Sequence, residues 1–255
     1  MKILTMKFGG TSVADVDRIK AVRDIISDEI KNGWNVVAVV SAMSNETNKL
    51  IKLSKQVGVE SFVDPEYDSL ISTGEDVYSS LLAIALNSIE ISSRSWRGWQ
   101  LPIRTDSFHS NAKIEEIKTD QIINSFKEGV KVAVVSGFQG IEQAGRITTL
   151  GRGGSDTSAV AIAAAIDAER CDIYTDVSGI YTTDPRIKRN ASKLKKISFE
   201  EMLEMASLGA NVLQTRAVEL AMRHKVPITV LNSFSKEDGT LVCDEEEIME
   251  KNIVS

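Results

Sequence analysis

The sequence predicts an α/β fold with a parallel sheet, because short apolar runs alternate along it with segments of helical periodicity. Residues 3–8 form the first apolar run, and residues 36–40 form a second that is apolar throughout, as buried parallel strands are. Between them, apolar side chains recur every three or four residues on one face of a predicted helix: Val16, Ile19, Val22, Ile26 and Ile30. Strands joined in this way by helices are typical of a parallel sheet.

The alternation continues along the chain. Further strands are predicted at residues 132–135, 172–175, 228–231 and 240–242, and further helices at residues 120–128, 156–168, 199–206 and 212–225. A long helix is expected over residues 62–86, where Gly74 interrupts the pattern and suggests that something approaches closely. The apolar residues in 92–102 show neither helical nor strand periodicity. We expect an irregular segment there, in which Trp96 and Trp99 pack inside the protein.

Composition narrows the classes of function. The 255 residues suffice for one large α/β domain or two small ones. A formal charge of −6 disfavours nucleic acids and anionic membranes as partners, and the longest apolar runs are too short to span a bilayer. Two cysteines in unrelated contexts and the lack of an export signal lead us to expect a cytoplasmic protein. No His/Cys cluster has the spacing of a zinc site.

The first candidate site is the stretch Lys-Phe-Gly-Gly-Thr-Ser at residues 7–12, between the first predicted strand and helix. Glycines there let backbone N–H groups face a phosphate at a helix N-terminus, and Lys7 would add a positive charge beside it. Gly9 and Gly10 are equally typical of a plain tight turn, so both interpretations remain open at this point.

A second glycine-rich stretch, residues 149–157, precedes the alanine-rich helix. Its glycines and the following helix N-terminus favour an anion. Arg152 lies among the glycines, and its guanidinium suits bidentate binding of a carboxylate or phosphate. Ser155 and Asp156 are also common helix-capping residues, so a purely structural role is the alternative for them.

A third stretch begins at Thr175 and Asp176, where a predicted strand ends. Ligands in open α/β sheets bind outside the carboxyl ends of strands, and Tyr181 and Arg186 would suit a nucleotide. A proline turn with a surface arginine is the alternative. P-loop, dinucleotide and protein-kinase motifs do not occur in the sequence, so these common classes of glycine-rich nucleotide-binding protein are disfavoured.

Taken together, these stretches resemble the aspartate kinases from residue 1 to about residue 245. Seven motifs stand in the order and close to the spacings of that family: KFGGTSV (7–13), VVSAM (39–43), STGE (72–75), TLGRGGSD (149–156), YTDVSGIYTTDPR (174–186), SLGANVLQTRAVELA (207–221) and GTLVCDE (239–245). The resemblance implies a three-layer αβα sandwich with a largely parallel central sheet of about eight strands.

The resemblance also implies an activity. ATP, with Mg²⁺, would phosphorylate L-aspartate to 4-phospho-L-aspartate, the first step towards lysine, threonine and methionine, and towards diaminopimelate in bacteria. Residues 1–245 would form the catalytic domain, with aspartate bound by its N-terminal part and ATP by its C-terminal part. Residues 246–255 would form a tail where a regulatory domain begins, and the protein is expected to be a homodimer.

The resemblance also implies roles for individual residues. Lys7 would neutralise the transferred phosphoryl group, Gly9 and Gly10 would form its backbone cradle, and Asp156 would orient the lysine. Ser41 would lie close to the phosphoryl path.

Aspartate binding is implied for a second set of residues. Arg152 would hold the α-carboxylate and Glu75 the α-ammonium, with Thr47 and Ser155 assisting. This division suits a zwitterionic head group, which needs one fixed cation and one fixed anion. The nucleotide side would comprise Thr175, Asp176, Tyr181 and Arg186. No resident metal ligand is implied.

The chain departs from the family pattern in two places. Asn211 stands where many aspartate kinases have a lysine near the nucleotide, so we expect weaker ATP binding than in a lysine-bearing homologue. The chain also stops at Ser255, before the two ACT-type regulatory domains that the family usually carries. Two alternatives remain: a kinase of the same superfamily acting on acetylglutamate, glutamate, carbamate or UMP, or a catalytically weak binding protein that has kept the fold.

Overall fold

The computed structural model describes residues 1–58, 63–185, 187–188, 190–210 and 212–249. Its strands are β1 (Ile3–Phe8), β2 (Asn35–Val40), β3 (Ser93–Trp96), β4 (Ile103–Thr105), β5 (Ile114–Ile117), β6 (Val132–Ser136), β7 (Gln139–Ile141), β8 (Ile147–Thr149), β9 (Arg170–Thr175), β10 (Lys196–Ser198), β11 (Ile228–Asn232) and β12 (Thr240–Cys243). Its helices are α1 (Val16–Lys31), α2 (Glu46–Gln56), α3 (Pro65–Ile71), α4 (Thr73–Asn87), α5 (Asp120–Lys127), α6 (Gly154–Ala165), α7 (Phe199–Ser207), α8 (Thr215–His224) and α9 (Glu245–Met249).

The central sheet has eight strands in the order β10-β12-β11-β9-β1-β2-β6-β3. Neighbouring strands are parallel except for the pair β11 and β12, which is antiparallel. The prediction of a largely parallel sheet of about eight strands is therefore confirmed, and β1 lies in its interior between β2 and β9.

Helices cover both faces of this sheet, as expected of a three-layer sandwich. Alternate residues of each strand enter one of two hydrophobic cores: Leu4 and Met6 of β1 pack with α1 and α4, whereas Val37 and Val39 of β2 pack with α5, α6, α7 and α8. Because both faces are covered, the inner strands are apolar throughout. Lys7 is on the face of β1 opposite Met6 and Phe8 and therefore faces the α6 layer.

Two expectations about residues 92–102 were wrong. Residues 92–102 are not simply irregular, because β3 forms there and pairs with β6 at the edge of the sheet. Trp96 is buried, as expected, but the Trp99 side chain is on the surface and 49% exposed. A second sheet with the order β5-β4-β7-β8 was not predicted either, because β4, β7 and β8 have only three residues each and are too short to show a periodic pattern.

The long helix expected over residues 62–86 is divided. Residue 62 lies outside the described residues, and Ser72 separates α3 from α4. Gly74 occupies the position where α4 approaches the segment after β2, since a Cβ atom there would lie 2.8 Å from the Cβ atom of Ala42. The glycine thus lets the first turn of α4 reach the carboxyl end of the central sheet.

The second sheet is tied to α3 by one carboxylate, that of Asp68. Asp68 is fully buried and accepts hydrogen bonds from the backbone N–H groups of Ser110 and Thr149, at 2.9 Å each, and from both hydroxyl groups of these residues. The Nδ1 atom of His109 lies 2.9 Å from Asp68 Oδ2. A buried carboxylate with this many donors fixes the chain that leads from β8 into residues 150–153.

Replacing this carboxylate should destabilise the fold. Asp68→Asn keeps the shape but puts an NH₂ group where buried N–H donors need an acceptor, so we expect the free energy of unfolding to fall by about 3 kcal/mol. The matched control is Glu66→Gln on the same helix, because Glu66 is exposed and forms a surface ion pair with Arg146. Its effect should stay within about 0.5 kcal/mol. Denaturant unfolding measures both, and equal losses would contradict the assignment.

Candidate active site

A cleft of about 590 Å³ opens at the carboxyl ends of β1, β2 and β9, against the first turns of α2, α4 and α6. Ligands of open α/β sheets bind at this end of the strands. The cleft is lined by predicted site residues from distant parts of the sequence: Lys7, Gly9, Gly10, Ser41, Thr47, Glu75, Arg152, Ser155, Asp156, Thr175 and Asp176. The structure thus brings the three glycine-rich and strand-end stretches to one place.

The floor of the cleft holds an ion pair between Lys7 and Asp156. Lys7 Nζ lies 2.6 Å from Asp156 Oδ1, and the two side chains are only 12% and 10% exposed. Asp156 is in the first turn of α6, where a negative charge is favoured by the helix dipole. A Cβ atom at Gly9 would lie 3.2 Å from Lys7 Nζ, so the glycine leaves room for the ammonium group.

Residues 151–153 turn sharply to place Arg152 at the rim of the cleft. Gly151 and Gly153 have φ angles of +74° and +70°, which favour glycine, and Gly154 N donates a hydrogen bond to Gly151 O at 3.0 Å. The Arg152 side chain is exposed at the cleft, whereas Ser155 is buried in the first turn of α6. An exposed guanidinium beside a helix N-terminus can bind a carboxylate or phosphate group.

Glu75, like Asp156, is a buried acid that lines the cleft. It is 4% exposed, and its Oε1 atom accepts a hydrogen bond from Ala42 N at 3.0 Å. Its Oε2 atom is buried and has no hydrogen-bond partner among the described residues. Burial raises the pKa of Glu75 to about 8, with a smaller contribution from the charge of Asp76. A cleft-lining carboxylate oxygen without a donor is suited to receive a cationic donor from a ligand.

Ser41 and Thr47 complete this side of the cleft. Ser41 follows β2 directly, and its backbone N–H donates a hydrogen bond to Phe8 O at 3.2 Å, which joins the ends of β2 and β1. Thr47 is half-buried in the first turn of α2. Both hydroxyl residues lie where they can contact a ligand held between Lys7 and Glu75.

The predicted nucleotide residues are only partly brought together. Thr175 and Asp176 line the cleft, and Thr175 Oγ1 donates a hydrogen bond to Asp176 Oδ1 at 3.2 Å. Tyr181 is not among the residues that line the cleft, and its backbone pairs with Lys193. Arg186 and Asn211 lie outside the described residues.

Several lining residues were missed from the sequence, among them Asn45, Phe138 and Gln214. Asn45 and Phe138 adopt positive φ angles of 67° and 68°, which are uncommon for residues other than glycine. Phe138 follows β6 and Asn45 precedes α2, so position at a strand or helix end was the available signal. Gln214 precedes α8 and carried no comparable signal.

Two further features bear on the kind of site. Within the described ranges, no group of three or more His, Cys, Asp or Glu side chains is arranged to hold a metal ion. In the same part of the chain, no helix has the length and apolar character needed to cross a membrane.

Comparison with known proteins places the sequence among kinases. A family model described as "Amino acid kinase family" matches residues 2–232. An aspartate kinase of Stutzerimonas stutzeri is 52% identical over 256 residues, and an aspartokinase of Rickettsia felis is 50% identical over 258 residues. Each match covers all of this chain, but it covers only 62% of the Stutzerimonas protein and 64% of the Rickettsia protein. The chain thus spans somewhat under two thirds of the length of these relatives.

Solved structures agree with the sequence comparison. Aspartate kinase from Synechocystis superposes with a TM-score of 0.84 at 45% identity, over 95% of this chain and 40% of that one. Aspartokinase III from E. coli, in complex with aspartate and ADP, has a TM-score of 0.84 at 30% identity, over 95% of this chain and 65% of that one. The resemblance to aspartate kinases is confirmed, and with the family match over residues 2–232 the chain belongs to the amino acid kinase family.

Proposed function

We propose that this chain phosphorylates L-aspartate with ATP, giving 4-phospho-L-aspartate and ADP, the first step towards lysine, threonine and methionine. One observation carries the proposal: the exposed cation of Arg152 and the unpaired buried oxygen of Glu75 share a cleft with the ammonium group of Lys7. A zwitterionic amino acid needs the first two groups, and a phosphoryl group in transfer needs the third.

The proposed roles follow from this arrangement. Arg152 holds the α-carboxylate and Glu75 the α-ammonium, with Thr47 and Ser155 assisting. The β-carboxylate of aspartate then faces Lys7, while Ser41 and the backbone of Gly9 and Gly10 lie along the phosphoryl path. The E. coli aspartokinase III structure, which contains aspartate and ADP, supports this assignment by its similarity.

The chemistry needs positioning and charge compensation more than proton transfer. A β-carboxylate has an unperturbed pKa of about 3.9, so it is already ionised at neutral pH and needs no general base. One of its oxygens attacks the γ-phosphorus as the bond to the ADP oxygen breaks. Both reactants are anionic, and Lys7, held in place by Asp156, reduces their repulsion as they approach.

ATP would bind on the side of Thr175 and Asp176, with Tyr181, Arg186 and Asn211 as further proposed contacts. Mg²⁺ accompanies ATP in this proposal, because it is held mainly by phosphates and water and needs only one or two protein carboxylates. Asp176 lines the cleft on this side and fits that requirement. Bound with ATP, the ion would neutralise part of the phosphate charge.

Further proposals concern the domain organisation, the localisation and the oligomeric state. Residues 1–245 act as the catalytic domain, with residues 246–255 as a tail, in the cytoplasm. We also propose a homodimer, supported by the apolar side chains of Val77 and Ile84 on α4, which are more than half exposed. Sedimentation of the purified chain tests the oligomeric state.

An acceptor screen tests the reaction itself. Acyl phosphates react with hydroxylamine to give hydroxamates, so we expect hydroxamate with L-aspartate and none with glutamate or acetylglutamate. Product with another acceptor would favour a different kinase of the family. No hydroxamate from any carboxylate acceptor, and no ADP formed with UMP, would favour a catalytically weak binding protein if the chain is folded.

Removal of the Lys7 ammonium should reduce the rate more than the affinity. In Lys7→Ala we expect kcat to fall by about 10²- to 10³-fold, because the charge acts on the phosphoryl group in transfer, while the Kd for L-aspartate changes little. Lys31→Ala, which removes an exposed lysine on α1, is the control. Steady-state kinetics and calorimetry measure the two effects, and a loss in affinity as large as the loss in kcat would contradict the role.

The raised pKa of Glu75 predicts how pH affects binding. Below about pH 8 the free protein holds a proton on Glu75, which an ammonium ligand must displace, so affinity should increase with pH and level off above the pKa. The increase should approach about tenfold per pH unit well below that point. Glu75→Gln should bind L-aspartate more weakly and lose this dependence, whereas Glu219→Gln, an exposed control on α8, should keep it.

Calorimetry between pH 6 and pH 9, in buffers of different ionisation enthalpy, measures both the affinity and the protons released. A wild-type affinity that is constant from pH 6 to pH 8 would refute the role of Glu75 in binding an ammonium group.

A further inference from the structure

The start of α8 lies against the segment that carries Arg152. Arg216, in the first turn of α8, donates a hydrogen bond from Nη2 to the carbonyl oxygen of Leu150 at 2.6 Å. The same carbonyl precedes Gly151, and Leu150 N donates a hydrogen bond to Phe138 O at 2.9 Å. Leu150 is therefore held on both sides, two residues before Arg152.

The residue just before α8, Gln214, contacts the other end of the turn. Gln214 is so close to Gly153 that a Cβ atom on this glycine would lie 2.0 Å from Gln214 Cγ. At Gly151, a Cβ atom would lie 2.9 Å from Ser110 O and 3.4 Å from Arg216 Nη2. Glycine is favoured at residues 151 and 153 because both have positive φ angles, and because a Cβ atom would press on Ser110 at the first position and on Gln214 at the second.

Two glycines beside Arg152 make the turn costly to order. Fixing the backbone of a residue costs conformational entropy, and glycine loses more conformational freedom than any other residue. Arg152 is exposed and cannot be held by packing of its own side chain. The contacts from Arg216 and Gln214 add to the hydrogen bonds that Asp68 accepts from Thr149, and they reach the part of the turn next to Arg152.

Arg216 acts from outside the cleft. It is half-buried and is not among the cleft-lining residues, whereas Gln214 lines the cleft at the edge next to the turn. The charge of Arg216 is directed at a backbone carbonyl, which strengthens that hydrogen bond relative to a neutral one.

We propose that Arg216, with Gln214, is a positioning residue that holds residues 150–153 so that Arg152 is pre-organised to bind the α-carboxylate of the acceptor. The proposal depends on the proposed function only for the identity of the ligand that Arg152 binds. Pre-organisation of a binding group increases affinity by reducing the ordering cost at the moment of binding.

Three variants test the proposal. Arg216→Met keeps most of the side-chain stem and removes the donor, Arg216→Lys retains one charged donor, and Arg223→Met removes an exposed arginine from the last turn of the same helix as a control. Two readouts are needed: the Kd for L-aspartate and for ADP by calorimetry, and amide hydrogen exchange of the peptide that contains residues 150–158.

We expect Arg216→Met to weaken L-aspartate binding by about ten- to hundredfold, with ADP binding unchanged, and to speed exchange in that peptide alone. Arg216→Lys should fall between this variant and the wild type, and Arg223→Met should match the wild type. Unchanged exchange in Arg216→Met would overturn the proposal, as would faster exchange throughout the chain, which indicates general destabilisation. If the wild type does not bind L-aspartate, the proposed function fails, but the exchange data still decide whether Arg216 positions the turn.

Discussion

The ion pair between Lys7 and Asp156 joins the interior of the sheet to the helix layer that covers it. Lys7 is near the carboxyl end of β1, which lies between β2 and β9, and Asp156 is in the first turn of α6. Two charges this far from solvent are costly to desolvate, so such a pair is weak evidence for stability. The ion pair instead holds the positive charge of Lys7 at the point where the strand ends, the glycine turn and the helix N-terminus meet.

Asp68 and Glu75 are both buried, but they differ in how many hydrogen-bond donors surround their carboxylate groups. Both oxygens of Asp68 accept hydrogen bonds from Ser110 and Thr149, and these bonds attach the second sheet to α3. Glu75, in the next helix, has one oxygen bound to Ala42 N and one buried oxygen without a partner in the described part of the chain. A buried carboxylate with several donors holds parts of a fold together, whereas an unsatisfied one at a cleft is suited to receive a donor from a ligand.

The parts of the site that could be predicted from sequence are those determined locally. Strand, glycine turn and helix start are adjacent in the chain around Gly9, and a glycine-rich turn and a helix start are adjacent around Gly153, so both stretches could be recognised as candidate sites. Short elements with distant partners could not be predicted in this way. β3 pairs with β6, and β4 with β7, across long stretches of chain, and β4, β7 and β8 are only three residues long. The contacts of Gln214 and Arg216 were missed because they become neighbours of the Arg152 turn only through the packing of α8 on α6.

Orientation of the acceptor is the central claim, and a crystal structure of this chain with L-aspartate and ADP tests it most directly. The α-carboxylate should lie on the Arg152 guanidinium and the α-ammonium on Glu75 Oε2, with the β-carboxylate facing Lys7. Aspartate bound in the opposite orientation, with its β-carboxylate on Arg152, or bound outside the cleft, would contradict the claim.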